Sequence, residues 1–350
     1  MRAFRIVEWE QPPRIVEVPE PTPGAGEVVV RVAANGLCHS DALMAQTPEV
    51  FGRALGWQVP FTLGHEIAGW VFEVGAGVDP ELVGRPVAVV SPASCGVCAA
   101  CRRGAENACT ESDVGRGFGA DGGLAPLVLV HDVRALVPLG ELDPVVAGPL
   151  TDAGATSLHA VRRALDLVDT APDHAVVIGV GGLGSFAVQF LRALSTAEVV
   201  AVDPNPGRRE VARSFGAHRV IDGVDDDTAA HLADLTGGKG AEVVLDFVGV
   251  DATIRCGVAA TGRGGAFGLI GAAGGTLRRP WYGSLPRDGA VFTFQGSDIA
   301  DARDAVALAA EGQVVSRVDR FAFDDVAEAY ERLARGELDG RAVVIPDPLD

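Results

Sequence analysis

The spacing C-x2-C-x2-C-x7-C from Cys95 to Cys109 gathers four of the chain's six cysteines into the stretch "CGVCAACRRGAENAC". Thiolates are good zinc ligands, and four on one loop complete a tetrahedron at little cost in chain-closure entropy. Two other uses of clustered cysteine compete with that reading. A disulfide framework belongs to oxidising compartments, and a redox C-x-x-C ordinarily stands alone beside a βαβ unit. The pattern therefore predicts a metal held by Cys95, Cys98, Cys101 and Cys109. Four protein ligands leave no position for water or substrate, so this site is expected to brace the chain rather than react.

A second pattern, "AVVIGVGGLGSFAVQFLRAL", sets Gly179, Gly181, Gly182 and Gly184, with Leu183 among them, between an apolar strand and an amphipathic helix. Glycines there let the backbone approach a pyrophosphate, whose charge meets the free N–H groups of the helix N-terminus. About twenty residues on, the next apolar run ends in Asp203, where an acidic residue accepts the hydroxyls of an adenosine ribose. A carboxylate at that place repels a 2′-phosphate and favours NAD over NADP. Arg208 lies close by in sequence, and a cation there suits either ribose or phosphate.

The elements that must carry these residues follow from the hydrophobic pattern. Up to about residue 150 the chain reads as short strands broken by Gly and Pro, among them "EVVVRVAANG", "EIAGWVFEVGAGV", "GRPVAVV" and "LAPLVLV". From Ala155 the period changes to that of helices. Apolar strands then alternate with helical patterns: "AVVIGV", "VVAVD", "HRVID", "AEVVLDFV", "GAFGLIG" and "AVFTFQG". Continuous apolar strands separated by helices predict a parallel sheet covered on both faces. Two further helices and a final strand, "RAVVIP", are placed to return to the first half. The predicted partition is 1–150, completed by 298–350, with 151–297 as the dinucleotide-binding part.

Composition excludes several classes of function. The 350 residues are 48% hydrophobic, which supplies two cores, and their formal net charge is −18. Such acidity repels phosphate backbones and anionic lipid surfaces, so neither nucleic acid nor membrane is an expected partner. No secretory leader and no run long enough to span a bilayer is legible. A cytoplasmic protein is expected, and reducing conditions there keep thiols available for metal.

The remaining metal-type residues are scattered: Cys38 in "NGLCHSD", His65 and Glu66 in "LGHEIAG", and Asp152 in "LTDAGATSLH". Singly, Cys38 reads as a small buried hydrophobe and His65 as a core histidine, and spacing alone does not connect them. However, "GHEIAGWVFEVGAGV", the four-cysteine stretch and "GVGGLG" occur in an order that resembles the zinc-dependent medium-chain alcohol dehydrogenases. The resemblance runs the length of the chain and is strongest to the bacterial NAD-linked secondary-alcohol branch. It implies an α/β fold: a GroES-like β-rich catalytic domain plus a Rossmann doubly wound parallel sheet.

The resemblance also implies roles. Cys38, His65 and Asp152 resemble the ligands of a catalytic zinc, and Glu66 the carboxylate that approaches that metal transiently. Asp41 resembles the acceptor that orients the ligating histidine, Ser40 the hydroxyl that takes the substrate's proton, and Arg208 the basic residue beside the ribose. Two zinc ions and NAD are the implied cofactors, an alcohol or carbonyl compound the substrate, and a homodimer or homotetramer the assembly. The strand "AVFTFQG" is then the one that pairs with its copy. Polyol or aldehyde oxidation on the same scaffold, and a catalytically silent NAD- or zinc-binding relative, are the alternatives.

Two departures from the family pattern are visible. The family's usual histidine after "SD" is replaced by "SDALMAQ", with Leu43. The segment "ALMAQTPEVFGRALGWQVP" differs from the family pattern and is expected to line the substrate entrance, with Trp57, Phe118, Trp281 and Tyr282 as candidate walls. His39 is open to two readings, contact with the cofactor's pyrophosphate or solvation.

Overall fold

The structure is a computed structural model that describes residues 1–111, 114–168, 170–280 and 282–349. The chain divides into two units, Met1–Ala155 with Gly296–Asp350, and Thr156–Gln295.

In the first unit the central strand is Val28–Gly36. Its valines at 28, 29 and 30 are wholly buried, as β-branched side chains between packed layers should be. Glu66–Val74 pairs with it antiparallel, with Gly36 opposite Glu66. Arg341–Ile345 pairs with it on the other side, with Val343 opposite Gly36. The final strand thus returns to the first half of the chain, and the sheet continues through Val318–Ala322 at one end and through Pro86–Val89 and Leu136–Pro138 at the other. A second sheet joins Arg14–Glu17, Arg2–Ile6 and Phe61–Thr62. The core between them includes Phe4, Leu37, Phe61, Leu63, Phe323 and Val344.

In the second unit six strands form one parallel sheet. Numbered in chain order, they lie 3-2-1-4-5-6, the doubly wound order. The first strand, His174–Ile178, sits at the centre, and Ala175 to Ile178 are fully buried. The helix Gly184–Leu194 turns Phe186, Val188, Phe190 and Leu191 inward. Asn205 caps the helix Pro206–Ser214 by accepting from the Gly207 N–H.

One strand begins earlier than its apolar run. Thr261–Leu269 starts directly after the helix Asp251–Ala260, and its register shifts between Ala241 and Val243 of the neighbouring strand. The glycines of "TGRGG" carry no hydrophobic signal, yet their backbone still pairs. Trp281 lies outside the described residues.

Candidate active site and metal centres

Three segments of the first unit converge. Cys38 follows the central strand and is the N-cap of the helix His39–Ala45. Its N–H donates to Asp41 Oδ2 at 2.9 Å, a reciprocal cap that ties the ligand-bearing turn to the carboxylate. His65 immediately precedes Glu66–Val74, and its carbonyl accepts from the Ser91 hydroxyl. Asp152 ends the 3-10 turn Gly148–Thr151, just before the helix Ala153–Leu167.

The ligating atoms of Cys38, His65, Glu66 and Asp152 all lie within 4.8 Å of one another. His65 Nε2 is 3.5 Å from Asp152 Oδ2, close to the edge of about 3.4 Å in a zinc tetrahedron with N and O ligands. One sulfur, one imidazole and carboxylates are a donor set that suits zinc. Electrostatics point the same way, because a single buried imidazole is ringed by acids. Burial pushes the His65 pKa down, but Asp41, Asp152 and Cys38 outweigh it and hold it well above the ordinary value. Burial pushes Asp152 up, yet His65 and Arg341 hold it at about 2. A cation placed among these groups relieves the excess of negative charge.

The His65 ring is surrounded by contacts. Asp41 Oδ1 lies 3.0 Å from His65 Nδ1. The N–H is not aligned for a full hydrogen bond there, so the contact is mainly electrostatic, and it leaves Nε2 turned toward Cys38 and Asp152. Ser40 Oγ stands 3.4 Å from His65 Nε2. Phe118 packs against the imidazole at 4.5 Å between ring centroids. Trp57 instead lies in the core against Phe61, and Tyr282 is 81% exposed. His39 is exposed too.

Two residues of this site carried no sequence signal. Tyr330, on the helix Val326–Arg335, donates its hydroxyl to Asp41 Oδ2 at 2.9 Å. Arg341 grips Glu66 with two nitrogens, Nε at 3.0 Å from Oε2 and Nη2 on Oε1. The pair fits because residue 36 has no side chain: a Cβ there would stand 2.0 Å from Glu66 Oε2. Burial pushes the Glu66 carboxyl up while Arg341 opposes the push, and Glu66 in turn holds Arg341 above its ordinary value.

The four-cysteine stretch forms a compact lobe. Cys95 Sγ and Cys98 Sγ lie 3.9 and 3.5 Å from Cys101 Sγ, too far for disulfides and near the edge of about 3.8 Å in a zinc–thiolate tetrahedron. Backbone N–H groups aim at the sulfurs, from Cys98 to Cys95, from Cys101 to Cys98 and from Cys95 to Cys109. The Cys101 and Thr110 amides draw the Cys98 thiol down to about 6, and burial raises Cys101 to about 12.

In the second unit Gly179 takes a φ of +84° and turns the chain out of its strand. Gly184 packs so tightly that a Cβ would meet Gly179 O at 1.8 Å. A Cβ on Gly181 would meet only the Arg208 Nη1, at 3.8 Å, so a ligand can approach the backbone beneath that guanidinium. The N–H groups of Gly181, Gly182 and Leu183 have no backbone acceptor among the described residues, an arrangement suited to a pyrophosphate. Asp203 accepts from the Val180 and Asn205 amides at 2.8 and 2.9 Å. Each oxygen keeps a lone pair for a ribose hydroxyl.

Comparisons with known proteins agree with both units. A family model described as "Zinc-binding dehydrogenase" matches residues 182–311, and one described as "Alcohol dehydrogenase GroES-like domain" matches residues 24–141. The chain is 35% identical to an NAD-dependent alcohol dehydrogenase of Sulfurisphaera tokodaii over 99% of this chain and 100% of that one. It is 30% identical to a D-arabinose 1-dehydrogenase (NADP(+)) of Saccharolobus solfataricus over 99% and 97%. The crystal structure of the alcohol dehydrogenase from Aeropyrum pernix superposes with a TM-score of 0.89 at 34% identity, covering 99% of this chain and 100% of that one.

Proposed function

The chain belongs to the zinc-dependent medium-chain alcohol dehydrogenases, and from that premise we propose that it oxidises small secondary alcohols, and reduces the matching ketones, with NAD and two zinc ions per chain. The observation that carries this reading is the convergence of Cys38, His65, Glu66 and Asp152 on one point. When bound, zinc supplies Lewis-acid polarisation of the substrate oxygen, and NAD supplies the hydride acceptor.

The chain's own residues do the rest. Cys38, His65 and Asp152 hold the catalytic metal, and Cys95, Cys98, Cys101 and Cys109 hold the structural one. Asp41 fixes the His65 ring. Ser40 Oγ, beside His65 Nε2, accepts the alcohol's proton during oxidation while it gives its own hydroxyl proton up toward water, and the two transfers run in reverse during reduction. Arg341 holds the Glu66 carboxylate with two nitrogens and opposes the upward push of burial on it, so that Glu66 would stand beside the bound metal rather than displace a ligand. In the second unit the Gly181 to Leu183 amides take the pyrophosphate, Asp203 the ribose, and Arg208 covers the loop.

Apolar substrates are favoured by the segment after Ser40, where Leu43, Val50, Phe51 and Leu55 are exposed in the helices His39–Ala45 and Glu49–Ala54 and the residue after them. The D-arabinose relative motivates a second reading, a sugar substrate with NADP. Six free cysteines suit a reducing compartment such as the cytoplasm. No helix among the described residues is long and apolar enough to cross a membrane. The outer strand Ala290–Thr293 of the parallel sheet is the proposed seam of a homo-oligomer.

A panel of secondary alcohols, primary alcohols and aldoses, assayed with NAD and NADP by absorbance of the reduced nicotinamide, tests the proposal. Turnover of secondary alcohols with NAD, abolished in His65→Ala, is the expected result. Preferential turnover of aldoses with NADP overturns it in favour of the sugar reading. Cofactor binding without turnover of any alcohol or sugar points to a silent relative.

A further inference from the structure

A cavity of about 580 Å³ lies within the first unit, and none of Cys38, His65, Glu66 or Asp152 lines it. Its volume is that of a small-molecule pocket. Residues flanking the four-cysteine lobe, Pro92 to Ser94 on one side and Val114 on the other, form part of its wall.

Four basic side chains face it: Arg5, Arg116, His131 and Arg134. Three are already matched. Arg5 pairs with Asp121 at 2.8 Å, His131 with Glu27 at 2.6 Å and Arg134 with Asp132 at 2.6 Å. Arg116 differs. It is only 7% exposed, and its Nε and Nη1 donate to the carbonyls of Leu129 and Val90 at 3.3 and 3.1 Å. No carboxylate among the described residues lies within ion-pair distance, and Nη2 has no hydrogen-bond partner among them. Burying a guanidinium without a counter-charge is costly, and burial accordingly pulls the Arg116 pKa down to about 10, with Asp132 opposing.

We infer that this cavity binds a monocarboxylate with an apolar body, its carboxylate seated on Arg116. One unmatched cation beside the carboxylates of Asp121 and Asp132 suits a single negative charge and disfavours a dianion. Carboxylate on guanidinium is a charge-assisted hydrogen bond in a desolvated setting. The aliphatic body is accommodated by Val18, Val90, Val114, Leu127 and Leu129, which also line the cavity.

Equilibrium dialysis with octanoate, octanamide and inorganic phosphate tests the site, using wild type, His65→Ala, Arg116→Met and Ala93→Phe, the last to fill the cavity from its wall. Octanoate is expected to bind wild type and His65→Ala alike, and to bind Arg116→Met and Ala93→Phe about tenfold more weakly or less. Octanamide and phosphate are expected not to bind. Retention of octanoate in the Arg116 and Ala93 variants with loss in His65→Ala overturns the inference and moves the anion to the catalytic centre. So does absence of octanoate binding to wild type, or equal binding of the amide. If Arg116→Met fails to fold, as judged by circular dichroism, Ala93→Phe decides alone.

Discussion

Arg341 and Glu66 meet across the one position of the central strand that has no side chain, Gly36. Both are buried, one beside the proposed ligand cluster and the other at the head of the last strand. Breaking such a pair strands a charge, which costs about 3–5 kcal/mol. Arg341→Met is therefore expected to lower unfolding stability by that order, and Gly36→Ala to destabilise as well by displacing the Glu66 carboxylate. Denaturant unfolding of the zinc-loaded protein measures both. An Arg341→Met midpoint equal to wild type would contradict a structural need for the pair.

Tyr330 is tied by a hydrogen bond to Asp41, which faces His65 of the candidate ligand cluster. Tyr330→Phe removes one hydrogen bond to a buried carboxylate, worth about 1.5–3 kcal/mol, and loosens the group that faces His65. Faster zinc loss from the Cys38 site to a chelator is expected, while the four-cysteine site keeps its metal. Equal release rates in wild type and variant would show that Asp41 holds its place unaided.

Metal analysis tests the two proposed zinc sites. Wild type should carry two zinc ions per chain, and Cys38→Ser and Cys98→Ser should each lose a different one. Only the Cys98 variant should lose marked thermal stability, since its metal closes a loop whose fold depends on it. If Cys38→Ser retained both ions, the open site would have to be sought elsewhere.

Zinc uptake by the four-cysteine lobe should strengthen as pH rises. Above about pH 6 Cys98 is already thiolate, whereas Cys101, near 12, still holds its proton. Zinc must displace that proton, and below about pH 6 it must displace the Cys98 proton as well, so the pH dependence steepens there. Competition with a chromophoric chelator on either side of that pH reads the slope. A pH-independent affinity would mean that the thiols are already ionised together.

Asp203→Ala should raise the ratio of NADP to NAD turnover, by removing a carboxylate that repels a 2′-phosphate and leaving Arg208 to receive it. The same change unpairs the Val180 and Asn205 amides, so some stability is lost with it. An unchanged cofactor ratio would place the ribose contact on another residue.

The residues legible in the sequence were those whose chemistry is local. The glycine loop and the four-cysteine stretch each complete their pattern within one short segment, and the alternation of apolar runs and helices foretold the parallel sheet. Cys38, His65 and Asp152 were joined only through family resemblance, because no spacing links residues that meet by folding. Arg341 and Tyr330 left no trace at all. An arginine heading a strand and a tyrosine on an amphipathic helix look like surface residues, and their partners lie 275 and 289 positions away.

The strand Arg341–Ile345 enters the first sheet beside residues made some three hundred positions earlier, with all of Thr156–Gln295 between them in sequence. During synthesis, the whole of the second unit is therefore made before Arg341. Until Arg341 is made, Glu66 lacks the guanidinium that it meets in the folded first unit. A chain stalled before residue 341 would therefore hold Glu66 without its arginine partner.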